Sequence, residues 1–149
     1  MINLTSSRLY DQTSFYKAFL RDIEHAQARV ITESPFITER RMNLLLPTLI
    51  TLRDKGIRII INTKPFEEHE QRYQNQAMWA VGTMQDIGIE VLMTVGHHRK
   101  IAIIDDNILW EGSLNILSQN DSCEIIHRIL STELVGDFLN HINFKKWSQ

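Results

Sequence analysis

GHHRKIAIIDDNILWEGSLNILSQNDSCEI, residues 96–125, is the stretch on which the reading of this chain turns. Two short apolar runs, RKIAIIDD and NILWEGS, are separated by only a tight turn. That predicts an antiparallel hairpin with Asp106 and Asn107 at its tip. Such a pair belongs in a core. Yet it opens on His97, His98, Arg99 and Lys100, and then places Asp105, Ser113, Asn115 and Glu124 among apolar neighbours. Alternate residues of a strand share a face, so His98 and Lys100 are expected on one side, with Arg99 on the other.

Working upstream, IEVLMTV and the β-branched run IRIIINT read as strands, the latter covered on both faces. ARVITESPFI reads as a short buried strand stopped by Pro35. Helices are predicted between them. TSFYKAFLRDIEHAQ carries Phe15, Phe19, Ile23 and Ala26 on one face, with Thr13 or Ser14 as its cap. TERRMNLLLPTLITLRDKG ends at Gly56, and Pro47 inside it should kink or restart the helix. EEHEQRYQNQAMWAVGTMQDIG puts Tyr73, Ala77, Val81 and Met84 near one stripe. Downstream, CEIIHRIL reads as a last strand and STELVGDFLNHINFKKW as a closing helix. Alternation of helix and strand predicts an α/β fold: a mixed, mostly parallel sheet flanked by helices on both faces.

The 149 residues suggest one domain, 1–149, and 43% hydrophobic residues suffice for a core. A net charge of −2 rules out global basicity, so any nucleic-acid site must be a local patch. The single cysteine, Cys123, excludes an intrachain disulfide and a cysteine metal cluster; it is expected as a small buried filler. No basic segment followed by an apolar run opens the chain, and no apolar run approaches ~18 residues. A soluble cytoplasmic protein without membrane contact is expected.

The polar residues of the hairpin fit one pattern: H-x-K, four residues, Asp105, six residues, then Gly112-Ser113-x-Asn115. With every fixed position filled, the chain resembles the phospholipase D superfamily over about residues 96–130. The resemblance implies a phosphodiesterase in which neutral His98 attacks phosphorus and forms a phosphohistidine. Lys100, Ser113 and Asn115 would bind the phosphoryl oxygens, whose charge grows in the transition state. Glu124 would hold the second imidazole nitrogen and fix the tautomer. Asp105 would be the second acidic residue, bracing Lys100 and the strand-turn geometry. A side-chain nucleophile requires neither metal nor other cofactor.

Family members work with two facing H-x-K copies, and this chain has one. A shared site in a homodimer is therefore expected, with one His98 as nucleophile and its mate as general acid. The short, single-motif chain resembles the family's small dimeric nucleases and the modules it fuses to bacterial helicases. That makes DNA the preferred substrate, cut as an endonuclease with little sequence specificity, and a helicase or other repair or restriction protein a candidate partner. A phospholipase D-type lipid phosphodiesterase and a catalytically silent nucleic-acid-binding module are the alternatives.

Each residue also has a plainer reading. His98 can be a satisfied sheet histidine, and Lys100 or Glu124 a solvated charge. Ser113 and Asn115 can be turn residues after Gly112. His97 is expected to be structural or at the substrate rim, and Trp110 core. For Arg40, Arg41, Lys64, Arg72 and the SPFIT loop, a solvated surface is favoured over a substrate rim.

Overall fold

The computed structural model describes residues 6–118 and 122–142. The loop residues 119–121 and the end of the expected closing helix lie outside them. One sheet runs through the middle of the molecule. Its strands are β1 (Ser6–Asp11), β2 (Arg29–Glu33), β3 (Arg58–Thr63), β4 (Glu90–Met93), β5 (Ile101–Ile104), β6 (Ile108–Gly112) and β7 (Ile125–Leu130). Their order is β1-β7-β6-β5-β2-β3-β4. The helices are α1 (Phe15–Glu24), α2 (Glu39–Asp54), α3 (Gln71–Asp86) and α4 (Thr132–His141).

The sheet is mixed, as expected, but not mostly parallel. Only β2–β3 and β3–β4 pair in parallel; β2–β5, β5–β6, β6–β7 and β1–β7 are antiparallel. Helical crossovers join the first group. In the second group only β5 and β6 are joined by a short turn, which reverses the chain; the other antiparallel pairs bring together strands separated by longer stretches of sequence.

Both faces are covered. Along β2, β3 and β5 successive side chains alternate between two cores. Val30, Ile59, Ile61, Ala102 and Ile104 pack with residues of α1, α2 and α3. Ile31, Ile60, Ile101 and Ile103 pack with Val135 of α4. Phe15, Phe19, Ile23 and Ala26 are buried as expected. Trp110 is fully buried, and its indole N–H donates to Asp22 at 2.8 Å. Arg128 grips the same carboxylate through two nitrogens at 2.7 and 2.8 Å, so a buried acid and a buried indole satisfy one another.

Four local expectations need correction. β1 was not foreseen: it is an edge strand, mostly exposed, with no apolar alternation to announce it. α2 does not restart at Pro47 but continues as one helix from Glu39 to Asp54. The proline is exposed, so the Asn43 carbonyl it leaves without an amide partner lies on the solvent side. Tyr73 is 39% exposed, leaving the buried stripe of α3 to Ala77, Ala80, Val81 and Met84. Cys123 is exposed rather than a buried filler. Gly56 behaves as expected: with φ of 79° it follows the last turn of α2, and Ile57 N–H reaches back to the Leu52 carbonyl.

Candidate active site

The mixed topology brings chemistry to one end of the sheet. β2, β3 and β4 finish at that end, β6 and β1 finish beside them, and β5 and β7 begin there. His98 and Lys100 lie just before β5, not within it. The alternation expected of a strand nonetheless persists. Arg99 clamps Glu33 at the end of β2 through two hydrogen bonds of 2.8 and 2.9 Å, and His97 Nδ1 lies 4.0 Å from the same carboxylate. His98 is exposed. The Lys100 ammonium curls back to the His98 carbonyl at 2.7 Å. The two adjacent histidines are thus distinguished: His97 is 4% exposed and faces Glu33, while His98 is accessible.

Gly112 joins this segment to the next strands. Its N–H points to the Lys100 carbonyl at 3.4 Å, and it stands opposite Ile126 on β7. A Cβ here would lie 2.4 Å from the Ile125 carbonyl oxygen and 2.7 Å from Ile126 Cα, so only glycine permits the approach. Ser113 follows, tied to β7 on both sides: its hydroxyl donates to the Ile125 carbonyl at 3.3 Å and accepts from the Ile125 N–H at 3.1 Å. The plainer reading, a residue that fixes local geometry, therefore describes its hydroxyl in this state. Glu124 precedes β7 at the same end, half-buried, its N–H donating to Gln12 Oε1. Among the described residues no hydrogen bond links it to His98. Asn115 is partly buried, and its Oδ1 has no hydrogen-bond partner.

Asp105 is not part of this end. It sits at the opposite end of β5, about 16 Å of strand away from Lys100 at ~3.3 Å per residue. Its φ of 56° turns the hairpin. Its carboxylate accepts from the N–H groups of Gln27, Ala28 and Arg29 at distances from 2.7 to 3.3 Å. The expected brace on Lys100 is absent; Asp105 instead pins the start of β2 to the hairpin.

Sequence reasoning missed Glu33. Its side chain is wholly buried and also accepts from Asn62 Nδ2 at 2.8 Å, while Asn62 Oδ1 accepts from the Thr94 hydroxyl at 2.9 Å. The signal was present: an acid in an otherwise apolar strand needs a buried partner. Hydrogen bonds to Glu33 raise the Arg99 pKa. Burial holds His97 below the ordinary imidazole value despite the opposing pull of Glu33. Among the described residues no three His, Cys, Asp or Glu side chains are grouped as a metal site would need. No helix there is long and apolar enough to cross a membrane.

The family model described as "Cardiolipin synthase, PLD-like domain" matches residues 19–145. The chain belongs to this PLD-like family. The PLD-like fold recurs in solved structures. Nuc from Salmonella typhimurium, a phospholipase D family member, superposes with a TM-score of 0.77 at 18% identity, over 97% of this chain and 95% of that one. NucT from Helicobacter pylori gives 0.70 at 18% identity, over 92% of each chain. TrmBL2, an archaeal chromatin protein described as having a novel mode of DNA binding, gives 0.63 at 12% identity, over 99% of this chain and 54% of that one. A search of curated proteins by sequence found no match. At such identities the PLD-like neighbours attest the fold, while the family model attests membership.

Proposed function

We propose that this single PLD-like domain is a metal-independent phosphodiesterase, an endonuclease that hydrolyses DNA with low sequence specificity at a homodimer interface. The observation that carries the reading is the exposed His98 beside Lys100, at the sheet end where Gly112–Ser113 and Glu124 also lie. His98 is the nucleophile. One imidazole nitrogen attacks phosphorus and the P–O bond to the leaving group breaks; the partner subunit's His98 gives that oxygen its proton. Water then attacks the phosphohistidine, loses a proton to the same partner histidine, and regenerates free His98. Lys100 and Asn115 donate hydrogen bonds to the phosphoryl oxygens. For Lys100 this requires only that the ammonium leave the His98 carbonyl. The backbone at Gly112–Ser113 sets the distance between these groups. Glu124 orients the His98 ring once the second subunit closes the site.

DNA is favoured by the resemblance of the short, single-motif chain to the family's small nucleases; Nuc and NucT, each spanned almost end to end, share its fold. A cytoplasmic location, and action beside a helicase or another repair or restriction protein, go with that reading. The name of the matching family model supports a second reading, a lipid phosphodiesterase.

Incubation with plasmid and single-stranded DNA in excess EDTA, beside His98→Ala, tests the proposal. Cleavage that persists in EDTA and is lost in the variant is expected. Release of phosphatidic acid from vesicles without DNA cleavage would favour the second reading. Cleavage lost in EDTA, or unchanged in the variant, would refute the mechanism.

A further inference from the structure

Beside Asn115 a cavity of about 370 Å³ opens between the loop after β2 and the start of α3. That is within the size range of small-ligand sites, roughly 300–1,000 Å³. Two aromatic rings line it, Phe36 at 37% and Tyr73 at 39% exposure. Each lies against a cation: Lys64 Nζ is 4.0 Å from the Phe36 ring centre, and Arg72 Cζ is 4.7 Å from that of Tyr73. His69 meets the Phe36 ring edge-on at 5.7 Å between centres.

Two polar atoms of the lining are buried without a hydrogen-bond partner, Asn115 Oδ1 and His69 Nε2. His69 is only 6% exposed. Burial and the nearby Lys64 charge keep its imidazole below the usual pKa, hence neutral at pH 7. In the neutral ring Nε2 donates or accepts according to the tautomer. Buried polar groups without partners are rare in folded proteins. An unmet amide oxygen and an unmet imidazole nitrogen, in a wall that also carries two half-exposed rings, suit the donors and acceptors on the edge of a nucleobase.

We propose that this cavity is a subsite for one unpaired nucleobase, next to the phosphate attacked by His98. The inference rests on the phosphodiesterase reading of the neighbouring motif and names its substrate as single-stranded or locally opened nucleic acid. Asn115 joins the two, two residues from Ser113 and in the cavity wall. Unpaired bases are held by stacking on aromatic rings and by their exposed edges, and bases inside a duplex offer neither. A lipid headgroup would want the cations converging on one point, whereas Lys64 and Arg72 each cover a different ring.

Binding in the His98→Ala background tests the subsite without requiring turnover. The probes are a fluorescent single-stranded oligonucleotide and a strand of equal length made of abasic sugar-phosphate, read by anisotropy. About tenfold tighter binding of the base-bearing strand is expected, in line with the usual worth of stacking one base. Tyr73→Ala should remove most of that preference and Tyr73→Phe should retain it, with the oligomeric mass unchanged in both. The proposal is overturned by equal affinity for the two strands, by no binding, or by a preference that survives both Tyr73→Ala and Phe36→Ala. It is also overturned if Tyr73→Ala changes the oligomeric mass, or if anionic phospholipid vesicles bind more tightly than the base-bearing strand. Separately, hydrolysis of bis(p-nitrophenyl) phosphate by the wild type but not by His98→Ala reports on the phosphodiesterase reading, which can fail while the base preference stands.

Discussion

At the scale of single residues, the end of β2 carries an asymmetric ion pair. Glu33 is wholly buried, whereas the Arg99 side chain is 41% exposed. Removing the arginine strands a buried carboxylate; neutralising the carboxylate strands a guanidinium that still reaches water. Arg99→Met should therefore cost more than Glu33→Gln, near the low end of the roughly 3–5 kcal/mol seen when buried pairs are broken. Urea denaturation of both variants checks the order, and a larger loss for Glu33→Gln would contradict it. His97 supplies a pH dependence. Its folded pKa lies below the ordinary imidazole value of 6.5, because burial disfavours the imidazolium. Between the two values the unfolded chain holds more protons, so stability rises with pH. The contribution is complete above about pH 6.5 and is lost as pH falls toward the folded value. His69 is shifted the same way and remains in either protein. Melting temperature should thus fall less steeply below pH 6.5 in His97→Gln than in the wild type.

At the scale of elements, two loops hold the hairpin in place from opposite ends. Asp105 satisfies the amides of Gln27, Ala28 and Arg29 at the start of β2. Asp105→Ala leaves those donors without their acceptor and should cost about 1–3 kcal/mol. Activity per folded molecule should stay within a few-fold of the wild type, since the whole of β5 separates Asp105 from His98. A loss as deep as that of His98→Ala would restore Asp105 to the catalytic set. At the other end, Gly112→Ala meets backbone rather than a side chain that can turn aside. It should destabilise by at least the 1–3 kcal/mol typical of overpacking, and lower turnover because Ser113 moves with it. Thermal melting and single-turnover cleavage measure the two effects.

At the scale of the whole molecule, the single H-x-K motif bears on assembly. If each reaction needs His98 from one subunit and the partner subunit's His98, a mixed dimer of wild type and His98→Ala has no working site. Co-refolding the two in varied ratios should then give activity that falls as the square of the wild-type fraction. A linear fall would show that each chain works alone.

The sequence by itself determined the motif and every long helix and strand except edge strand β1. Long runs such as IRIIINT, the face of α1 and the H-x-K…G-S-x-N spacing are written in adjacent residues, where periodicity and side-chain chemistry suffice. The setting of Arg99 on Glu33, apart from the exposed His98, also agrees with alternation, although these residues precede β5. Three matters were decided only by the tertiary structure. The pairing directions, mostly antiparallel, depend on which strands meet, and edge strand β1 has too little buried surface to mark itself. The place of Asp105 depended on partners 76 to 78 residues away in sequence. So did the burial of Glu33, whose partner Arg99 lies 66 residues downstream. Hydrogen bonds and desolvation act through space, and spacing along a chain reports them only when both partners lie in the same short segment.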